Sequence, residues 1–137
     1  MTAQHRFAGA HVDIRTSLAP RASAKMIADL ASPQPTTAAS VRFERADSDV
    51  LHFAIRMFND RSETMSFHVN VTPDGTGTRV VSQIDTYRTK QEKLFMLIPI
   101  FPAEMVSWPV YKSFMVTMRD AFLAKDGAAQ AQVVERV

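Results

Sequence analysis

From Leu51 to Met57 and again from Met65 to Val71 large apolar side chains fall on every second residue, a spacing that suits a half-buried β-strand and not a helix. Leu51, Phe53, Ile55 and Met57 form one face opposite His52, Ala54 and Arg56, and Asn59 to Ser62 closes the run. Met65, Phe67, Val69 and Val71 repeat the pattern against Ser66, His68, Asn70 and Thr72. The two strands share an apolar face only if paired residue numbers have an even sum. A tight loop centred near Arg61 then pairs Ile55 with Phe67 and Phe53 with Val69. Pro73-Asp74-Gly75-Thr76-Gly77 follows, and its Asp-Gly pair is a strong hairpin signal because both residues tolerate positive φ. A two-residue turn there places Val80, Ser82, Ile84 and Thr86 on the inner face and sends Arg79, Gln83 and Asp85 to solvent.

The flanking segments complete an α+β pattern. His11 to Leu18 alternates and reads as a first strand, with Val12, Ile14, Thr16 and Leu18 on one side. Pro20 ends it. Arg21 to Ala31 carries Met26, Ile27 and Leu30 at helical spacing before Pro33 and Pro35 forbid continuation. Val41 and Phe43 alternate with Arg42 and Glu44, giving a second strand that turns at Asp47-Ser48-Asp49. Leu94 to Met105 is apolar but broken by Pro99 and Pro102, so it reads as a packed connector without regular structure, with a lid as one use for it. A last helix is expected from Ser107, with Pro109 in its first turn, to about Lys125, where Gly127 offers a stop. Its apolar stripe is Trp108, Tyr111, Met115, Met118 and Phe122. Residues 126–137 show little periodicity and are expected to fray. The reading is one domain over residues 1–125, a curved antiparallel sheet wrapped around a long C-terminal helix.

Composition narrows the setting. At 137 residues the chain can bury a core without cross-links, and its zero cysteines exclude disulfides and thiolate chemistry. Sixteen basic against 14 acidic residues, spread along the chain, supply no polybasic arm, so nucleic acid is not an expected partner. Gln4, His5 and Arg6 interrupt any apolar leader, and Leu94 to Phe101 is far shorter than the ~20 residues that cross a bilayer. A cytoplasmic protein without a transmembrane segment is expected.

The chemical candidates are few. His52 and His68 lie on neighbouring strands, but the expected register pairs them with Asn70 and Ala54, leaving the imidazoles as diagonal neighbours ~7 Å apart on the outer face. They read as solvated surface histidines, and no metal site or cofactor is expected. Thr16, Ser82 and Thr86 are the polar side chains of the inner face, and each either orients a ligand or bonds a nearby carbonyl. Met57, Met65, Met115 and Met118 fall on inner faces, where they either form a pliable pocket or fill the core. Trp108 and Tyr111 stand one turn apart beside Glu104, at the mouth of any pocket or packed with their polar tips at the surface. No triad, phosphate loop or other catalytic arrangement converges.

Two segments carry a family resemblance. The opening strand running into Ala19-Pro20-Arg21-Ala22-Ser23-Ala24-Lys25-Met26-Ile27, and the hairpin Phe67-His68-Val69-Asn70-Val71-Thr72-Pro73-Asp74-Gly75-Thr76-Gly77-Thr78-Arg79-Val80, resemble the START-like or Bet v 1-like superfamily, also called SRPBCC. The resemblance spans about residues 8 to 125 and implies a helix-grip fold. Five strands and one short helix, where the superfamily has more of each, imply a cavity smaller than usual or none. Members bind sterols, lipids, polyketides or plant hormones, act as cyclases, or assist chaperones.

The resemblance implies a binding or carrier protein for a small hydrophobic molecule, a lipid or polycyclic compound. The expected lining is Thr16, Phe53, Ile55, Met57, Phe67, Val69, Ser82, Ile84, Thr86, Trp108, Tyr111, Met115 and Met118. Two alternatives stand beside it. One is an enzyme of the cyclase or dehydratase kind, in which Tyr111, Glu104 or the inner hydroxyls polarise a ketone. The other is an interaction module with a solid core, whose Leu94 to Met105 connector docks a partner or a second copy in a homodimer.

Overall fold

The fold is α+β, and in this computed structural model residues 5–31, 39–57, 62–90, 93–94, 98–99 and 104–136 are described. In chain order the elements are β1 (His11–Thr16), α1 (Pro20–Leu30), β2 (Ala39–Asp47), β3 (Val50–Met57), β4 (Glu63–Asp74) and β5 (Gly77–Tyr87). Four two-residue strands follow, β6 (Thr89–Lys90), β7 (Lys93–Leu94), β8 (Ile98–Pro99) and β9 (Glu104–Met105), then α2 (Trp108–Lys125) and β10 (Gln130–Val134). One curved, open, antiparallel sheet of six strands has the order β10-β1-β5-β4-β3-β2.

The parity of the inner face is as the alternation predicts. Leu51, Phe53, Ile55, Met65, Phe67, Val69, Val71 and Val80 are all buried. The register between β3 and β4 is not: Phe53 pairs with Phe67, Leu51 with Val69 and Ile55 with Met65, two residues away from the expected pairing. A two-residue slip keeps the sum even, so periodicity cannot detect it; only a one-residue slip would turn the apolar face outward. The local cause is a bulge. Arg56 pairs with Glu63, which leaves Thr64 as the extra residue of β4, buried, with its hydroxyl donating to the Ile55 carbonyl at 3.3 Å.

At the next hairpin Asp74 pairs with Gly77, so Gly75 and Thr76 are the turn residues, and Gly75 takes φ 63°. Gly77 is needed for another reason. A Cβ there would lie 2.1 Å from the Thr16 carbonyl oxygen, because the end of the neighbouring strand β1 lies against it. Even-numbered residues of β5 face inward as far as Ile84. A bulge then skips Asp85, so that Phe67 pairs with Ile84 but Ser66 pairs with Thr86. Thr86 is thereby turned to the outer face, contrary to the expectation that it lines the interior, and its hydroxyl meets that of Ser66 at 2.6 Å.

Two further expectations are corrected. The segment after Asp126 does not fray: β10 adds to the sheet edge with His11 opposite Val134 and Arg15 opposite Gln130. Its alternation, Gln130 and Gln132 outward with Ala131 and Val133 against the core, is too short and too poor in β-branched residues to stand out. The connector also has regular structure in its described part, since β6 pairs with β9 and β7 with β8; the remainder of the expected connector, residues 95–97 and 100–103, lies outside the described residues.

The last helix starts and ends where its caps predict, with Ser107 at the N-cap and Asp126 at the C-cap. Ser107 adopts φ 71° and makes no capping hydrogen bond; its hydroxyl meets that of Thr64 instead, joining the helix start to the β4 bulge. Tyr111, Phe114, Met115, Met118 and Phe122 are buried against the sheet. Full burial of each such side chain contributes on the order of 1.5–3 kcal/mol. No described helix is long and apolar enough to cross a membrane.

Candidate functional site

The inner face of the sheet is organised in cross-strand rows. One row runs Phe43, Phe53, Phe67 and Ile84 across β2, β3, β4 and β5. Phe53 and Phe67 stack with ring centroids 5.2 Å apart, and Phe114 descends from α2 to within 5.4 Å of the first and 5.6 Å of the second. Tyr111 lies 4.9 Å from Phe67. These spacings are those of rings in contact, so the centre of the face is filled by aromatic side chains.

The expected inner hydroxyls are placed accordingly. Val12 donates its backbone N–H to Ser82 Oγ at 3.0 Å, Ser82 donates to Tyr111 at 2.8 Å, and Tyr111 donates to the Ala10 carbonyl at 3.0 Å. Each member of this buried chain has a partner. Burial pushes the Tyr111 hydroxyl well above the ordinary phenol range, against the lowering effect of the Ser82 hydrogen bond, so it stays neutral and acts as a hydrogen-bond group. Thr16 lies at the end of β1, where its hydroxyl donates to Asp126 Oδ2 at 2.9 Å; Ser17 adds its backbone N–H at 2.8 Å and its hydroxyl at 2.9 Å. The Ser17 N–H and the two hydroxyls hold the Asp126 carboxyl down at about 2. This joins the end of α2 to the end of β1.

Of the expected lining, Phe53, Ile55, Phe67, Val69, Ser82, Ile84, Tyr111, Met115 and Met118 come together between sheet and helix, all buried. Met57 and Trp108 are half-buried at its margins, and Thr16 and Thr86 lie away from it. Trp108 is stacked flat on Phe7, centroids 4.1 Å apart and planes 3° from parallel, with Arg6 and Arg136 over the Phe7 ring at 4.8 and 5.6 Å. The buried polar side chains are all hydroxyls among the described residues, and Glu104 is exposed.

Sequence reasoning missed two contributors. Phe114 is three residues beyond Tyr111 and four before Met118, so the helical spacing that marked the stripe includes it. Phe43 is 37% exposed, whereas its row neighbours Phe53 and Phe67 are 1% and 0% exposed. It packs edge-on against Phe53 at 5.5 Å while its other side meets solvent. Val41 and Met57 are half-buried on the same margin. The apolar face therefore reaches solvent at the β2 edge of the sheet.

On the outer face His52 and His68 are direct cross-strand partners, not diagonal neighbours, with ring centroids 6.2 Å apart. Among the described residues no cluster of three or more His, Cys, Asp or Glu side chains is arranged around a metal position.

No family model, curated protein or solved structure matches the chain.

Proposed function

We propose that the protein binds a small hydrophobic molecule, a lipid or polycyclic compound, at the β2 edge of the sheet around Phe43, and serves as its carrier. The observation that carries this reading is the exposure of Phe43 at the end of a row whose other aromatic members are fully buried. A large apolar ring on an edge strand costs solubility unless something covers it for part of the time. Phe43, Val41, Met57 and Phe53 offer such a molecule an apolar wall, and the methionine adapts its shape to the occupant. The binding site is thus displaced from the centre of the face, where Phe67, Phe114 and Tyr111 already fill the space, to its β2 edge. The order of the sheet, with β1 beside β5 and β2 at the far edge, together with the long C-terminal helix, supports a helix-grip reading and the START-like resemblance. A cytoplasmic setting fits the absence of cysteine.

A second reading is favoured by the filled centre: an interaction module whose exposed margin receives a partner protein or a second copy. Titration with an apolar fluorescent probe, paired with light scattering, separates the two. A carrier binds the probe saturably as a monomer and loses it on Phe43→Ser. A monomer that binds no probe, and copurifies with no small molecule in native mass spectrometry, overturns the carrier reading.

A further inference from the structure

The outer face carries a second cross-strand row, Arg45, His52, His68 and Gln83 across β2 to β5. Its two imidazoles are held in a definite way. His68 Nδ1 lies 2.8 Å from Asp85 Oδ1, and His52 Nε2 lies 3.2 Å from Asp47 Oδ2. The Asp85 carboxylate accepts from His68 Nδ1, which leaves Nε2 of His68 with a free lone pair, while His52 stands beside it with its Nε2 at ion-pair distance from Asp47. Asp85 is in reach because it is the residue skipped by the β5 bulge, and Asp47 because it closes the β2–β3 turn, where Arg45 also holds it at 2.9 Å.

We infer that His52 and His68 form a two-histidine site for a late first-row divalent transition ion, Ni²⁺ or Cu²⁺ in preference to Zn²⁺. Imidazole nitrogens bind such ions at about 2.0–2.1 Å, which in tetrahedral or cis geometry draws the ring centroids to roughly 5 Å. The observed 6.2 Å is within a small side-chain rotation of that distance. Asp85 plays the part that carboxylates play behind ligating histidines elsewhere, fixing the tautomer and ring orientation of His68. Two protein ligands leave the remaining positions to water, which places the ion's affinity under the control of its rank in the Irving–Williams order. Bound there, the ion pins β3 to β4 at their midpoint.

Calorimetric titration of the untagged full chain with Ni²⁺ tests this. One saturable equivalent is expected, with at least tenfold weaker binding in His52→Gln and in His68→Gln, about tenfold weaker binding at unchanged stoichiometry in Asp85→Asn, and unchanged binding in His11→Gln. Ni²⁺ is also expected to raise the thermal midpoint of the wild type and not that of the double variant His52→Gln/His68→Gln. Thermal unfolding in metal-free buffer verifies that each variant folds; should His52→Gln fail to fold, His68→Gln and Asp85→Asn decide. Absence of saturable binding by the wild type, or wild-type affinity in the histidine variants, overturns the site.

Discussion

Phe67 and Phe43 sit two strands apart in one cross-strand row, yet one is sealed and the other faces water. The difference lies in what stands above them. Over Phe67, α2 lowers Tyr111 and Phe114, and the segment before β1 supplies the Ala10 carbonyl that satisfies the Tyr111 hydroxyl. Phe43 meets the edge of Phe53 and stays 37% exposed. Identical side chains with identical strand periodicity thus serve two purposes, and the deciding factor is which side chains pack over each.

That contrast is open to direct attack. Phe67→Ala should cost about 3–5 kcal/mol in urea unfolding, because it leaves a cavity beneath two aromatic rings; a cost below about 1 kcal/mol would mean that the centre is not packed as described. Tyr111→Phe removes one oxygen but strands the Ala10 carbonyl and the Ser82 hydroxyl, and should cost about 1–3 kcal/mol in the same experiment. Phe43→Ser should stay within about 0.5 kcal/mol of the wild type, as surface substitutions do, while abolishing apolar-probe binding. A large loss of stability there would make the margin part of the core.

The smallest effect concerns the latch that holds the sealed end together, and it shows only in acid. Asp126 has its folded-state pKa lowered from 3.8 to about 2 by the Ser17 N–H and the Thr16 and Ser17 hydroxyls. Between those values the unfolded chain binds more protons than the folded one, so stability rises with pH. The contribution is complete above the unfolded value and is lost as pH falls through about 2. Asp126→Asn should therefore flatten the stability profile between about pH 4 and 2; an unchanged slope would remove the latch from the account.

Much of this architecture was legible in the residues. Alternation gave the inward parity of β3, β4 and most of β5, and the i, i+3, i+4 spacing gave α2. What escaped had no periodic signature. The Thr64 and Asp85 bulges each insert one residue without altering the apolar pattern nearby, yet one accompanies the β3–β4 slip and the other turns Thr86 outward. The same slip brings His52 opposite His68, a juxtaposition that no count of alternating residues distinguishes from a diagonal one. β10 escaped because Gln-Ala-Gln-Val-Val is short and its partner, β1, lies more than 110 residues upstream. Phe43 reads as a strand residue, but its exposure depends on what packs over it from elsewhere in the chain, which alternation along one strand does not report.

The claim that ligand binding belongs to the β2 margin and not to the centre is tested most directly by mapping a small apolar probe onto the methionine-methyl and phenylalanine resonances. Perturbations confined to Phe43, Met57 and Phe53, with Met115 and Met118 silent, are the predicted result. Perturbations centred on Met115, Met118 and Tyr111 would contradict it.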